Sequence, residues 1–238
     1  MNKLIKEIVS EYNCLKLKFT KKGKLKKKSR KEFINKVHWG YTSRDYTLSE
    51  DFIREFQNEV IWYYISKDQI LSEPFIKEFK DKVHWWLIPA DQVLTQDFIR
   101  EFWNKTDWKW ISSNQILSED FIEEFKDEVW WQRISQYQIL SENFIRKFKT
   151  EVIWNYISQY QTLSEGFIRE FKHKVAWSFI SRYQKLSVEF IREFQKELYL
   201  DLILIYQDLS IEHIEELQIK SKELHEINYR NKRRRNSW

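Results

Sequence analysis

The chain has 238 residues, 17% of them aromatic and 32% charged, with a formal net charge of +5 and only three Gly and two Pro. So little Gly and Pro leaves a turn-rich β fold without its turns and points to an all-α protein. The single cysteine, Cys14, allows no intramolecular disulfide and fits a reducing compartment.

In chain order, residues 1–24 form a basic N-terminal segment, in which Lys3, Lys6 and Glu7 interrupt the stretch where a signal peptide needs an apolar run. Residues 25–47 hold a faded unit marked by Leu25, Phe33, Val37 and Trp39, read as a degenerate N-terminal cap repeat. From 48 to 208 a 23-residue unit, L-S-E-x-F-I-x-E-F-x-x-x-V-x-W-x-x-I-S-x-x-Q-x, recurs seven times without insertion. Numbered from its leucine, the unit keeps Leu at position 1, Phe at 5 and 9, Ile at 6 and 18 and Gln at 22 in every copy. Position 15 is Trp until the last copy, where it becomes Leu200. Leu209, Ser210 and Ile214 continue the register, so 209–229 reads as a C-terminal cap helix and 230–238 as a basic tail.

A 23-residue period excludes one continuous helix, because at about 100° per residue the apolar stripe would point a new way in each copy. The chain must break inside every unit. Ser or Thr at position 2 can cap a helix, with acidic residues in its first turn and Leu and Ile at the spacing of a hydrophobic staple. Helix A is therefore predicted from position 3 to about 13, and the acid-first pairs Glu50/Arg54, Glu73/Lys77, Glu78/Lys82 and Glu142/Arg146 suit its solvent face. Helix B is predicted over positions 15 to 22. Its start is poorly marked, since position 14 is a good cap only at Asp107, and Pro89 at position 19 should kink or shorten its copy. No single unit buries enough apolar surface to fold alone, so the predicted class is an all-α α-solenoid of about nine stacked 23-residue two-helix repeats with degenerate end caps.

The net charge hides a division: Lys16–Lys31 holds ten bases and Arg230–Arg235 five, and the remainder carries −10. The array is acidic and its ends are basic. Lys26, Lys27, Lys28, Arg30, Arg233, Arg234 and Arg235 are the candidate contacts to nucleic acid or to import machinery, or else solubilising ends. The longest apolar segment, Leu198–Tyr206, contains Asp201 and is too short to cross a bilayer, which with the N-terminus leads to the expectation of an intracellular, cytoplasmic protein without a membrane partner.

The strings L-S-E-D-F-I-R-E-F at 48–56, V-x-W at 60–62 and I-S-x-x-Q at 65–69 resemble the short helical repeats of uncharacterised proteins from giant amoeba-infecting DNA viruses. The resemblance covers roughly residues 25–215 and brings no activity with it. It implies a host cytoplasm, viral factory or virion as the setting; the nucleus enters only through the basic ends read as import signals. Position 14, often Asp or Asn in that family, departs here everywhere except Asp107.

Catalysis finds no foothold in the residues. His38 and His84 share position 14 but lie two units apart, about 20 Å at a helix spacing near 10 Å, too far for a shared metal. No Gly-rich phosphate loop occurs, and the glutamates recur along the array as a solvated face does. The expectation is a protein that is not an enzyme, with no metal and no cofactor. Invariant Gln at position 22 either reads a ligand one unit at a time or satisfies backbone groups of the adjacent turn, and its lack of variation favours the second. The Trp column is assigned to the core.

Variation marks where recognition is encoded. Positions 16, 17, 20 and 21 of helix B change from copy to copy, and Tyr63, Trp86, Trp110, Gln132, Tyr156, Phe179 and Arg182 are the candidate protein-binding surface. Positions 17 and 21 have packing between neighbouring B helices as their alternative role. The leading expectation is a scaffold binding a protein partner, followed by a nucleic-acid-associated protein anchored by its basic ends, with self-association third.

Overall fold

A computed structural model of the chain describes residues 3–5, 8 and 25–216. They form α-helices in two compact units, Met1–Val129 and Trp130–Trp238. The first holds α1 (Lys27–Lys36), α2 (Trp39–Asp45), α3 (Glu50–Glu55), α4 (Trp62–Asp68), α5 (Glu73–Glu78), α6 (Ile88–Asp91), α7 (Gln96–Glu101), α8 (Trp108–Asn114) and α9 (Glu119–Glu124). The second holds α10 (Trp131–Tyr137), α11 (Glu142–Lys147), α12 (Trp154–Tyr160), α13 (Glu165–Glu170), α14 (Trp177–Tyr183), α15 (Val188–Glu193) and α16 (Leu200–Tyr206), followed by a helical stretch at 211–216. Within each unit helix A alternates with helix B, and consecutive B helices lie side by side, α2 with α4, α6 and α8 in turn, and α10 with α12, α14 and α16. Each unit is thus a length of α-solenoid.

Every A helix of the seven copies starts as its sequence dictates. The hydroxyl at position 2 accepts the N–H of position 5, from Ser49 with Phe52 at 3.3 Å to Ser187 with Phe190 at 3.1 Å. Such a cap contributes about 1 kcal/mol. Leu at position 1 and Ile at position 6 are buried in the first six copies.

Helix A ends earlier than predicted, at position 8 rather than 13. Phe56 at position 9 turns to φ −114°, ψ 30°, and its carbonyl accepts the N–H groups of Glu59 and Val60, both at 3.0 Å. Groups that would have continued the helix have lateral partners instead. The position 10 carbonyl accepts the indole N–H of Trp at position 15, as Gln57 does from Trp62 at 2.9 Å. The position 14 N–H donates to the Ser hydroxyl at position 19 of the preceding repeat, as Ile61 does to Ser43, His84 to Ser66, Ile153 to Ser135, Ala176 to Ser158 and Tyr199 to Ser181, each at 2.9 Å. Ser66, Ser135, Ser158 and Ser181 in turn donate to the position 15 carbonyl of their own helix. This relay explains how helix B starts without a capping side chain at position 14. Asp107 caps as expected, accepting the Lys109 N–H at 2.9 Å, and His38 also caps, accepting from Tyr41 at 3.3 Å.

Helix B spans positions 15 to 21, with Gln at its C-cap in extended conformation. In the second copy Pro89 has no N–H for the Trp85 carbonyl, and the helix shrinks to α6 after a turn at 85–87. Pro89 also removes the Ser hydroxyl at position 19, so the next repeat receives no such acceptor, and it is there that Asp107 supplies a cap from its own side chain.

The core sits between repeats. Trp62 lies 6.3 Å from Phe75 and 5.0 Å from Phe79 of the next copy, and the same contacts recur for Trp131 with Phe144 and Phe148, and Trp154 with Phe167 and Phe171. Each aromatic pair adds about 0.5–1.5 kcal/mol beyond area burial. The column breaks at Leu200, where the following unit has His213 at position 5 and offers no Phe to meet a Trp there. Phe121 at position 5 is fully buried, whereas Phe125 at position 9 is only half-buried.

Gln at position 22 ties each repeat to its predecessor. Gln161 donates to the carbonyls of Ser135 at 3.1 Å and Gln138 at 2.8 Å, while its Oε1 accepts the Leu140 N–H at 3.0 Å. Gln69, Gln115, Gln184 and Gln207 make the same bonds to their own neighbours. In these five copies both polar atoms of the amide are spent on backbone.

The solvent face of helix A keeps two of the intrahelical pairs predicted, Glu50/Arg54 and Glu142/Arg146, the latter at 3.6 Å, and replaces the other two with contacts between repeats. Arg54 meets Glu50 at 3.3 Å, but its shorter pair, 2.8 Å, is with Glu78 of the next repeat. Lys77 pairs with Glu101, not Glu73, and Lys82 reaches the Gln57 side chain, not Glu78. Arg100 with Glu124, Arg146 with Glu170 and Arg169 with Glu193 repeat the inter-repeat pair at 2.7–2.8 Å. As exposed pairs they are worth about 0.2–1 kcal/mol each and set register more than stability.

Candidate protein-binding surface

Because Ile at position 18 and Ser at 19 face the neighbouring repeats, positions 16, 17, 20 and 21 of the B helices are left wholly or partly toward solvent, except Leu87 at position 17 of the shortened copy, which is buried. In Met1–Val129 this face gathers Tyr63, 36% exposed, against Tyr64 at 5.3 Å, Trp86 at 6.2 Å and the His84 ring at 5.9 Å. Trp86 is 51% exposed at position 16, which is also open to solvent at Tyr63, Gln132 and Asn155. Trp110 is 36% exposed and carries the Lys109 ammonium over its ring at 5.8 Å. At the edge of this cluster Arg44 lies over Tyr41 and Tyr64 and contacts Asp45 at 2.7 Å; that hydrogen bond holds the Asp45 carboxyl below the usual carboxylate range.

In Trp130–Trp238 the candidates are more tied down. Gln132 is exposed and donates to the Tyr156 hydroxyl at 3.1 Å. Tyr156 and Phe179 are half-buried, with ring centroids 6.0 Å from Tyr160 and 6.2 Å from Tyr183. Arg182 spans two repeats, its guanidinium 5.1 Å from the Tyr183 ring and 4.8 Å from Tyr206. So at positions 17 and 21 rings of one helix pack on each other while keeping one edge in water, and Arg182 at position 20 reaches the next repeat.

Among the basic candidates, Lys26, Lys27 and Lys28 are exposed at the start of α1. Lys27, Lys28, Arg30 and Lys31 line a depression of about 1010 Å³. Arg30 is already engaged, donating to the Glu55 carbonyl at 2.9 Å and lying over the Phe56 ring. Arg233, Arg234 and Arg235, with the rest of the tail, lie outside the described residues.

His38 and His84 are each used locally, one as a cap and one beside Tyr63, and no group of three metal-ligating side chains gathers among the described residues. Within the same residues no helix is long and apolar enough to cross a membrane. The Ser relay at position 19 and the exposed residues of position 23 went unnoticed in the sequence; the first was visible as a near-invariant column, the second as an aliphatic run in four consecutive copies. Comparison with protein-family models, with curated proteins and with solved structures finds no match.

Proposed function

We propose that the chain is a non-enzymatic repeat scaffold that binds another protein across the exposed face of its B helices. The observation that carries this reading is position 16. It holds Tyr63 and Trp86, both solvent-exposed, in two adjacent copies, and Gln132, Asn155 and Ser178 in copies with helices of the ordinary length. The fold therefore does not need an aromatic ring there, and an exposed Trp flanked by Tyr is the composition from which binding hot spots are made.

The test is capture of a partner from the native cell by the full chain and by a Trp86→Ala, Trp110→Ala, Tyr156→Ala variant. Loss of the partner at an unchanged unfolding midpoint supports the scaffold reading; undiminished capture refutes it. A second reading, nucleic-acid association, draws on the basic depression at α1. It predicts that Lys26→Gln, Lys27→Gln and Lys28→Gln together abolish capture, that nuclease does the same, and that binding falls steeply with salt as counterions are released.

A further inference from the structure

Ile70, Val93 and Ile116 are 91%, 94% and 92% exposed, and they occupy position 23 of three successive repeats in Met1–Val129. The position lies in the extended link between helix B and the following helix A, with Gln69 at φ −102°, ψ 145° and Ser72 at φ −78°, ψ 152° on either side. Nothing in the fold asks for an aliphatic residue here. The same position is Thr47, Thr162, Lys185 and Asp208 elsewhere, in links joining helices that start and cap in the same way. Ile139, 95% exposed, holds the place in Trp130–Trp238, but no aliphatic residue follows it in that unit. Large apolar side chains fully in water, where the backbone tolerates polar ones, mark a surface meant to be covered.

The surroundings of this row are acidic. Asp68 and Asp91 precede Ile70 and Val93 by two residues and are exposed, with no ion pair among the described residues. After each link the start of helix A adds Glu73, Asp97 and Asp120; Asp97 is 94% exposed and paired with Arg100, and Asp120 is exposed and unpaired. Lys67 is the base nearest in sequence to Asp68. We propose that this edge of Met1–Val129 docks an extended, basic segment of a partner protein that carries an aliphatic side chain at every third residue.

Charge complementarity sets the sign of the partner, and spacing sets its conformation. Helices packed side by side stand roughly 8–10 Å apart, and the side-by-side B helices set an expected step of about that size between successive position 23 residues. A polyproline II segment advances about 9 Å in three residues and keeps pace. A β-strand returns a side chain to the same face after about 6.8 Å and falls out of step. The aliphatic row lies on the links and shares only the position 21 aspartates with the exposed face of the B helices, so Trp86→Ala and the position 23 substitutions tell the two surfaces apart.

The experiment uses the full chain and a fluorescent (Lys-Pro-Val)4 peptide, with (Lys-Pro-Ser)4 and (Glu-Pro-Val)4 for comparison, and reads binding by anisotropy at low and physiological ionic strength. The lysine-valine peptide should bind more tightly than both others. Ile70→Thr, Val93→Thr and Ile116→Thr together, copying Thr47 and Thr162, should weaken it about tenfold or more with no change in unfolding midpoint. Asp68→Asn with Asp91→Asn and Asp120→Asn should remove most of its salt dependence. Val93→Lys alone, copying Lys185, gives a second variant expected to fold normally and to repel the peptide. The proposal is overturned if the serine peptide binds as tightly as the valine peptide, if the Thr variant retains full affinity, or if binding is lost in Trp86→Ala instead. It is also overturned if the chain self-associates in sedimentation and the Thr variant alone is monomeric, because the occupant would then be a second copy.

Discussion

The two units share their core columns and diverge in their surface columns. Position 21 reads Asp45, Asp68, Asp91, Asn114 in Met1–Val129 and Tyr137, Tyr160, Tyr183, Tyr206 in Trp130–Trp238. Position 23 reads Thr47, Ile70, Val93, Ile116 in the first and Ile139, Thr162, Lys185, Asp208 in the second. The four tyrosines are 43–50% exposed; Tyr137 lies against Arg133, Tyr183 and Tyr206 against Arg182, and Tyr160 against Tyr156, while Asp68 and Asp91 of the first unit stand two residues from bare aliphatic side chains. A repeat protein thereby carries its own controls: what stays fixed across both units is required by stacking, and what changes at one position is not. Met1–Val129 carries an acidic, aliphatic edge and Trp130–Trp238 a tyrosine-lined one.

The largest effects should fall on the shared columns and be equal in the two units. Phe121→Ala and Phe167→Ala, each removing a fully buried ring, should both cost about 3–5 kcal/mol in denaturant unfolding, whereas Gln132→Ala on the varied face should cost no more than about 0.5. Unequal costs for the two Phe substitutions would break the view that the units are built alike.

Next in size is the Gln column. Gln161→Ala strands two carbonyls and one N–H in a buried link, and should lose about 2–3 kcal/mol. Gln92, with one donated bond, to the Gln69 carbonyl, and one accepted, from Leu71, should lose less. Equal losses would show that the link, rather than the individual bonds, governs stability.

A smaller effect sharpens the comparison at the one shortened helix. Asp107→Ala should cost about 1 kcal/mol as a lost cap, and Pro89→Ser should make that same substitution nearly neutral by restoring the hydroxyl at position 19. A double-mutant cycle with no coupling would mean that Asp107 does not stand in for the relay.

The smallest effect is in pH. Partial burial raises the Glu50 pKa, but hydrogen bonds from Ser72 and the charge of Arg54 outweigh it, and the folded value lies below the usual one of 4.5. Protonation is thus harder in the folded state. The stability from this contact is complete above pH 4.5 and is lost as pH falls through the folded pKa, so Glu50→Gln should flatten the acid limb of a stability profile and leave neutral pH almost unchanged.

The sequence by itself determined the repeat, the helix starts, the core columns and the shortened second copy, because Ser caps, apolar spacing and Pro act within a few residues of where they stand. It could not place the end of helix A. Phe, Ile and Val at positions 5, 6, 9 and 13 keep helical spacing whether or not the backbone turns, and the turn at Phe56 is settled by bonds from Trp62 and to Ser43 that no local pattern reveals. Charge pairing went the same way. Glu73 and Lys77 are four apart on one helix, yet stacking brings Glu101 within 2.6 Å of Lys77 and gives Glu73 the Thr95 N–H. The candidate surface was legible only as a set of variable positions; that Trp86 stands in water while Tyr156 is half-buried follows from their places on helix B, position 16 facing solvent and Tyr156 at position 17 packing on the Tyr160 ring. Local chemistry fixes what each residue can do, but which partner it takes is decided by the repeat stacked beside it, since every long-range bond here joins residues close to one period apart.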